Sequence, residues 1–292
     1  MEFSWIFFIT LHLILFTAVT YLTKILLKEL NPLQVLFFQY IGSFFNVLLL
    51  GLIRNKEVFF DIGNSWLTFL GILFAIGVFA TNKAIKINLS RTFVVNQFTG
   101  LVSILLSAVF LSEYLLFDPR TLRGILLLLT FPLSFISIVL MKGFGKGRVS
   151  NSWVFWCIVF SLFIGIAMFL VKVFVADIST LEVLLFQYIG SFLIVSLIGF
   201  LTKVNLRIGR KLVLKSLLLG VLMSTSLTFL YKSYSLAPLA YVQLVQKLGT
   251  TIIGVVLGLI VFKESKSLNK KSIIGMLIGF LSLMLILISS LV

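Results

Sequence analysis

The sequence predicts an all-α membrane protein with ten transmembrane helices in two inverted five-helix repeats. Three observations carry this expectation. Of 292 residues, 60% are hydrophobic and only 11% are charged, too few charges to cover a water-soluble domain. The apolar residues come in runs near twenty long, the length a helix needs to cross a hydrocarbon core. They lack the alternation of a barrel strand. Finally, the stretch LQVLFFQYIGSF, residues 33–44, returns as LEVLLFQYIGSF, residues 181–192. A hydrophobic unit has been duplicated.

Taken in order, the spans are 4–27, 32–53, 65–86, 90–112, 120–141, 153–175, 180–202, 211–235, 239–262 and 270–291. The first is too long for a cleaved signal peptide and has no small-residue cleavage site, so it reads as a span. Pro32, Pro119 and Pro238 stand at or just before helix starts, where a missing N–H is harmless. Pro132 lies inside span five and is expected to bend it. The longest polar break, Lys142–Ser152, separates two halves, 1–145 and 146–292.

The repeat extends beyond its clearest stretch. Lys24 aligns with Lys172, Gly71 with Gly220, Lys83 with Lys232, and Glu113 with Glu264, the separation drifting from 148 to 151. Five spans per copy is an odd number, so the second copy enters the membrane from the opposite side. Inverted repeats are the pattern of alternating-access transporters, with the substrate held between them.

The formal charge of +15 does not imply nucleic acid. The bases fall in short loops, where they act as topology signals. They favour the side that receives Lys142, Lys203, Arg207, Arg210 and Lys211 as cytoplasmic, with both termini outside. The lone cysteine, Cys157, excludes an intrachain disulfide.

The segment Ala84–Ser90 entering span four, the glutamate closing that span, and their repetition at Tyr234–Ala240 and Glu264 resemble the drug/metabolite transporter superfamily, and most closely its EamA-type, ten-span members. The resemblance covers the whole chain. It implies movement of a small metabolite, amino acid, cation or drug without ATP, in a prokaryotic cell membrane. Many such members are placed with both termini in the cytoplasm, the reverse of what the charges indicate here.

The candidate substrate-binding residues are Lys247, Gln243, Gln246, Asn96, Gln97, Tyr231 and His12. Lys247 lies well inside span nine, and an intramembrane charge normally faces a cavity or a partner. Gln243, Gln246, Thr250 and Thr251 share most of its helical face. Asn96, Gln97, Ser103 and Ser107 occupy the related place in span four. Ser224, Thr228, Tyr231 and Ser235 form a third stripe in span eight. Such stripes also serve as hydrogen-bonding glue between helices, and a lysine near a helix end can snorkel. His12, the single histidine, is a candidate to carry a coupling proton, or else a packed neutral ring bonded to a carbonyl.

Glu113 and Glu264 close helices, where a carboxylate needs a partner. Arg123 and a lysine between 263 and 271 are the expected ones. Gly42 and Gly190 are expected to let helices approach. Gly254/Gly258 and Gly275/Gly279 are small-xxx-small faces for packing within the chain.

No Asp or Glu lies mid-helix, and a central lysine repels cations. The substrate expected is therefore anionic, zwitterionic or neutral. A membrane enzyme needs grouped acid–base residues or metal ligands, and one histidine and one cysteine do not supply them. The chain has no G-x-x-x-x-G-K loop for ATP. No cofactor and no metal is expected. The expected partners are a small-molecule substrate, proton-coupled through His12 or Lys247, and the lipid bilayer, in a monomer or homodimer. A drug or cation exporter of the same fold, or a lipid flippase or scaffold subunit, is the alternative.

Overall fold

The computed structural model describes residues 4–55, 60–110, 118–142, 150–264 and 270–291. All regular structure among them is helical. Seven stretches are long and apolar enough to cross a membrane: Ser4–Glu29, Pro32–Ile53, Ile62–Ile87, Leu89–Phe110, Asn151–Phe174, Thr180–Leu201 and Arg210–Leu236. Shorter apolar helices occupy Leu122–Ser137, Val245–Val261 and Ile273–Ser282. Together they stand at the ten expected positions. The chain is an integral, multi-pass membrane protein. Its outward side chains are the apolar ones: Phe200 is 81% exposed, as lipid rather than water would favour.

In chain order the helices are α1 (Ser4–Glu29), α2 (Pro32–Asn55), α3 (Thr68–Ile87), α4 (Leu89–Val95), α5 (Gln97–Phe110), α6 (Leu122–Lys142), α7 (Asn151–Phe174), α8 (Thr180–Leu201), α9 (Arg210–Leu236), α10 (Leu239–Val256) and α11 (Lys270–Leu291). A 3₁₀ turn, Ile62–Leu67, leads into α3, and a π turn, Leu257–Val261, ends the span that α10 begins. Span four is therefore not one continuous helix. It breaks at Asn96, whose carbonyl accepts from both the amide (3.1 Å) and the hydroxyl (2.7 Å) of Thr99. α6 runs on through Pro132. Most of the Lys142–Ser152 linker, residues 143–149, lies outside the described residues, as does Glu113.

The contacts divide the chain into two compact units that do not coincide with its sequence halves. One comprises Met1–Asn82 and Leu170–Ala237, the other Lys83–Phe169 and Pro238–Val292. Each unit draws helices from both copies of the repeat.

In the first unit the duplication becomes a pair of matching seams. Ser43 on α2 donates to the carbonyl of Gly220 on α9 at 2.9 Å, and Ser191 on α8 donates to that of Gly71 on α3 at 2.8 Å. A Cβ on Gly220 would strike the Gln39 carbonyl, and one on Gly71 the Gln187 carbonyl. Gly42 and Gly190 meet the backbone carbonyls of Leu217 and Thr68 in the same way. The helices thus touch backbone to backbone, as small residues permit in lipid. Between the seams the buried rings of Tyr40 and Tyr188 lie 6.2 Å apart.

The starts of α2 and α8 carry matching grips. Gln34 accepts from the Asn31 amide (2.9 Å) and donates to the Asn205 carbonyl (2.7 Å). At the equivalent place Glu182 accepts from the Asp61 amide (2.8 Å) and the Asn64 side chain (3.0 Å). Gln34 also closes its own helix start as a capping residue, whereas the start of α8 is capped by Ser179. Each of the two grips holds the loop entering a helix of the other copy.

In the second unit α6 lies along α11, joined by Ser137 to the Gly275 carbonyl (2.8 Å) and Ser282 to the Thr130 carbonyl (3.2 Å). α10 lies against α4, with Thr251 donating to the Phe93 carbonyl at 3.1 Å. Trp153, fully buried at the start of α7, donates to the Thr92 hydroxyl at 3.0 Å. Gly254 sits on the Phe93 ring and Gly279 on Val94, so these small-residue faces are used within the chain.

Candidate functional site

Five of the seven candidate residues fall in the second unit, on α10 and around the α4–α5 break. Lys247 is 4% exposed, and Gln243 and Gln246 on the same helix are also buried. Its stem crosses Gly100 of α5. A Cβ added there would lie 3.1 Å from Lys247 Cγ and 3.8 Å from Gln243 Oε1. Glycine at this point leaves the room the lysine occupies. Among the described residues the Lys247 ammonium meets no carboxylate and no hydrogen-bond acceptor.

Gln97, one turn before Gly100, is also buried, and neither its amide nitrogen nor its amide oxygen has a partner among the described residues. Its Nε2 lies toward Gly279 of α11. Buried polar atoms are nearly always bonded, and an orphan calls for an explanation. Asn96, half-buried, serves the helix break instead. Around these residues the polar stripe divides. Thr251, Ser103 and Ser107 are spent on backbone carbonyls: Thr251 on Phe93, Ser103 on Gly165 (2.8 Å) and Ser107 on Ile104 (2.9 Å).

Tyr231 and His12 belong to the first unit. The Tyr231 hydroxyl donates to Gln187 Oε1 at 2.6 Å, and its ring stacks on Tyr234. Gln187 Nε2 is left without a partner among the described residues. His12 is fully buried, with Nδ1 at 3.1 Å from the Ser226 carbonyl and 2.8 Å from its hydroxyl. That ties α1 to α9. In the rest of the span-eight stripe only Ser224 joins another helix, Asn46 of α2 donating to its hydroxyl (2.8 Å) and to that of the neighbouring Thr225 (3.0 Å), while Thr228 and Ser235 donate to carbonyls of their own helix.

Two charged residues prove to have definite roles at helix ends. The Glu264 carboxylate accepts from the Leu89 and Ser90 amides, each at 2.9 Å, and from the Ser90 hydroxyl at 2.6 Å. It also attracts the buried Arg91 guanidinium. The partners the structure gives it thus come from the start of α4, whose orphan amides and positive dipole end favour an anion. Lys172, in the last turn of α7, donates to the carbonyls of Tyr234 (2.7 Å) and Ala237 (2.9 Å), at the end of α9. Nothing in the local sequence signals either pairing.

No group of three or more potential metal ligands occurs among the described residues. Twenty-six solved chains are similar to this one. One, a crystal structure described only as that of a protein, covers 94% of this chain and 96% of its own, with a TM-score of 0.63 and 16% identity. That likeness shows the fold alone. No curated protein matches the chain. The model of the EamA-like transporter family matches residues 151–288, the second copy of the repeat. Residues 151–288 are thus an EamA-like transporter unit, consistent with the drug/metabolite transporter type, and the first copy of the duplication repeats its five-span pattern.

Proposed function

We propose that the chain is a secondary transporter that moves a small polar metabolite, foremost an amino acid or organic anion, by alternating access between its inverted repeats. The observation that carries this reading is Lys247: an ammonium 4% exposed, set over a glycine, with no carboxylate partner among the described residues. An intramembrane charge without a partner is costly, by about 2.5–3.5 kcal/mol on insertion scales. A substrate carboxylate or phosphate would offset that cost each time it bound. Gln243, whose amide oxygen nears Gly100 as the lysine stem does, and Gln246, the residue before Lys247, would orient the substrate. The unpartnered Gln97 amide adds both a donor and an acceptor.

His12 in this reading holds α1 to α9, and any coupling proton passes through Lys247. The transporter works in a prokaryotic cell membrane, as a monomer whose small-residue faces are spent internally. A cation exporter is disfavoured by the sign of Lys247. A flippase or scaffold subunit would need a second membrane protein.

The test is a thermal-shift screen of the purified protein and of Lys247→Ala against amino acids, organic anions and organic cations. A ligand bound only to the folded state raises its stability by mass action. Stabilisation by an anion or amino acid, lost in the variant, supports the reading, and uptake of that compound into liposomes by the protein alone completes it. Stabilisation by cations alone, or an equal response of the variant, would overturn it.

A further inference from the structure

The first unit holds a pocket of about 220 Å³ where α7 and α9 end and α8 begins. One wall is apolar, made by Val175, Ile178 and Leu181. The other carries Lys232 and the hydroxyl residues Ser179, Thr180 and Ser235.

Among the described residues Lys232 is the only charged one in the lining, and its ammonium has no partner among them. Two carboxylates belong to this connection, and neither lines the pocket. Asp177 is not part of the wall, and Glu182 is turned to Asp61 and Asn64. Ser179 Oγ accepts from the Glu182 amide at 3.3 Å and keeps its own proton to donate.

The duplication supplies a comparison. Lys83, the counterpart of Lys232, lies over the Trp156 ring at 5.9 Å, a distance at which the ring face satisfies a cation. Lys232 has no such ring among the described residues and lines the pocket. The level is also informative. Trp66, half-exposed and edge-on to Phe174 at 4.8 Å, is of the kind that settles at a membrane–water interface. Phe174 immediately precedes Val175 of the apolar wall.

We propose that this pocket binds a phosphate group, held by the Lys232 ammonium and the Ser179 and Thr180 hydroxyls. The pocket is larger than one phosphate, and the apolar wall suits the carbon part of a phosphate ester. The group comes either from an anionic lipid headgroup or from free phosphate. The site is independent of the substrate reading of Lys247.

The test uses the full chain purified in a maltoside detergent, which carries no phosphate. Thermal stability is followed during titration with inorganic phosphate at constant ionic strength, and separately with phosphatidylglycerol, with retained lipid counted by native mass spectrometry. Lys232→Gln, Lys232→Arg and Lys211→Gln are run beside the native chain. Stabilisation by inorganic phosphate that Lys232→Gln abolishes and Lys232→Arg keeps assigns a soluble anion. Stabilisation by phosphatidylglycerol alone, with one retained lipid lost in Lys232→Gln, assigns a headgroup. The proposal is overturned if neither probe stabilises the protein, if Lys232→Gln responds as the native chain does, or if Lys211→Gln, at the opposite end of α9, loses the response equally.

Discussion

Glu264 shares the capping of a helix that begins at Leu89: Asn88 takes the Arg91 amide, and the Glu264 carboxylate holds the Ser90 hydroxyl at 2.6 Å and amide at 2.9 Å. Glu264→Ala should lower stability by about 2–3 kcal/mol, because it orphans amides that a charged acceptor had satisfied. Glu264→Gln keeps an acceptor oxygen and should lose roughly half of that. Thermal unfolding of the two variants in one detergent checks the order. Equal losses would mean that the charge, through Arg91, matters more than the cap.

Lys172 makes the converse bond, from an ammonium to the last carbonyls of α9. Lys172→Met, which keeps the stem but removes both donors, should cost about 1.5–3 kcal/mol. It should also speed hydrogen exchange in residues 233–239, read by mass spectrometry.

The two seams predict two equivalent lesions. Gly220→Ala and Gly71→Ala each place a methyl group against a backbone carbonyl that cannot turn aside. Each should cost at least about 1–3 kcal/mol by overpacking. Thermal melts that fall for one variant and not the other would show that the two copies bear load unequally.

Lys247→Met should raise stability while abolishing the response to ligand. A buried charge without a partner is a cost that an apolar side chain of similar length removes, by about 1–3 kcal/mol. The paired readings are the melting temperature without ligand and the shift with it. A lysine that merely braced the fold would lose stability instead.

His12→Gln tests the lock between α1 and α9. Removing the imidazole bond to Ser226 should cost about 1 kcal/mol and leave the pH profile of uptake unchanged. A flattened profile would return His12 to the role of proton carrier.

The helices were legible because lipid makes the signal simple: a run of apolar residues is a span, and its duplicate is another. Gly42, Gly190 and the small-residue faces were legible for the same reason, since close approach in lipid has few solutions. The break at Asn96 was not, because neither Pro nor Gly marks it. The partners of Glu264 and Lys172 were hidden by distance along the chain, 174 residues in one case from Ser90 to Glu264. The grips of Gln34 and Glu182 passed unnoticed although both copies carry them, since a polar residue in a first turn reads as an ordinary cap. Lys247 stood out as a buried charge, but its place over Gly100 depends on how α5 meets α10, and no pattern within one helix contains that.

The interleaving of the two units sets a schedule for biosynthesis. α1 and α2 rest on α9 through His12, Asn46 and Gly42, so these polar and close contacts are not complete until residue 236 has left the ribosome. At ~5–20 residues per second the wait from the end of α2 is roughly ten seconds to half a minute. Through that interval the nascent helices expose Asn46 and His12 to lipid, or to whatever insertion factor shields them. Truncated chains that stop before α9 should therefore be recognised and degraded as unassembled, even though every span they contain has been correctly inserted.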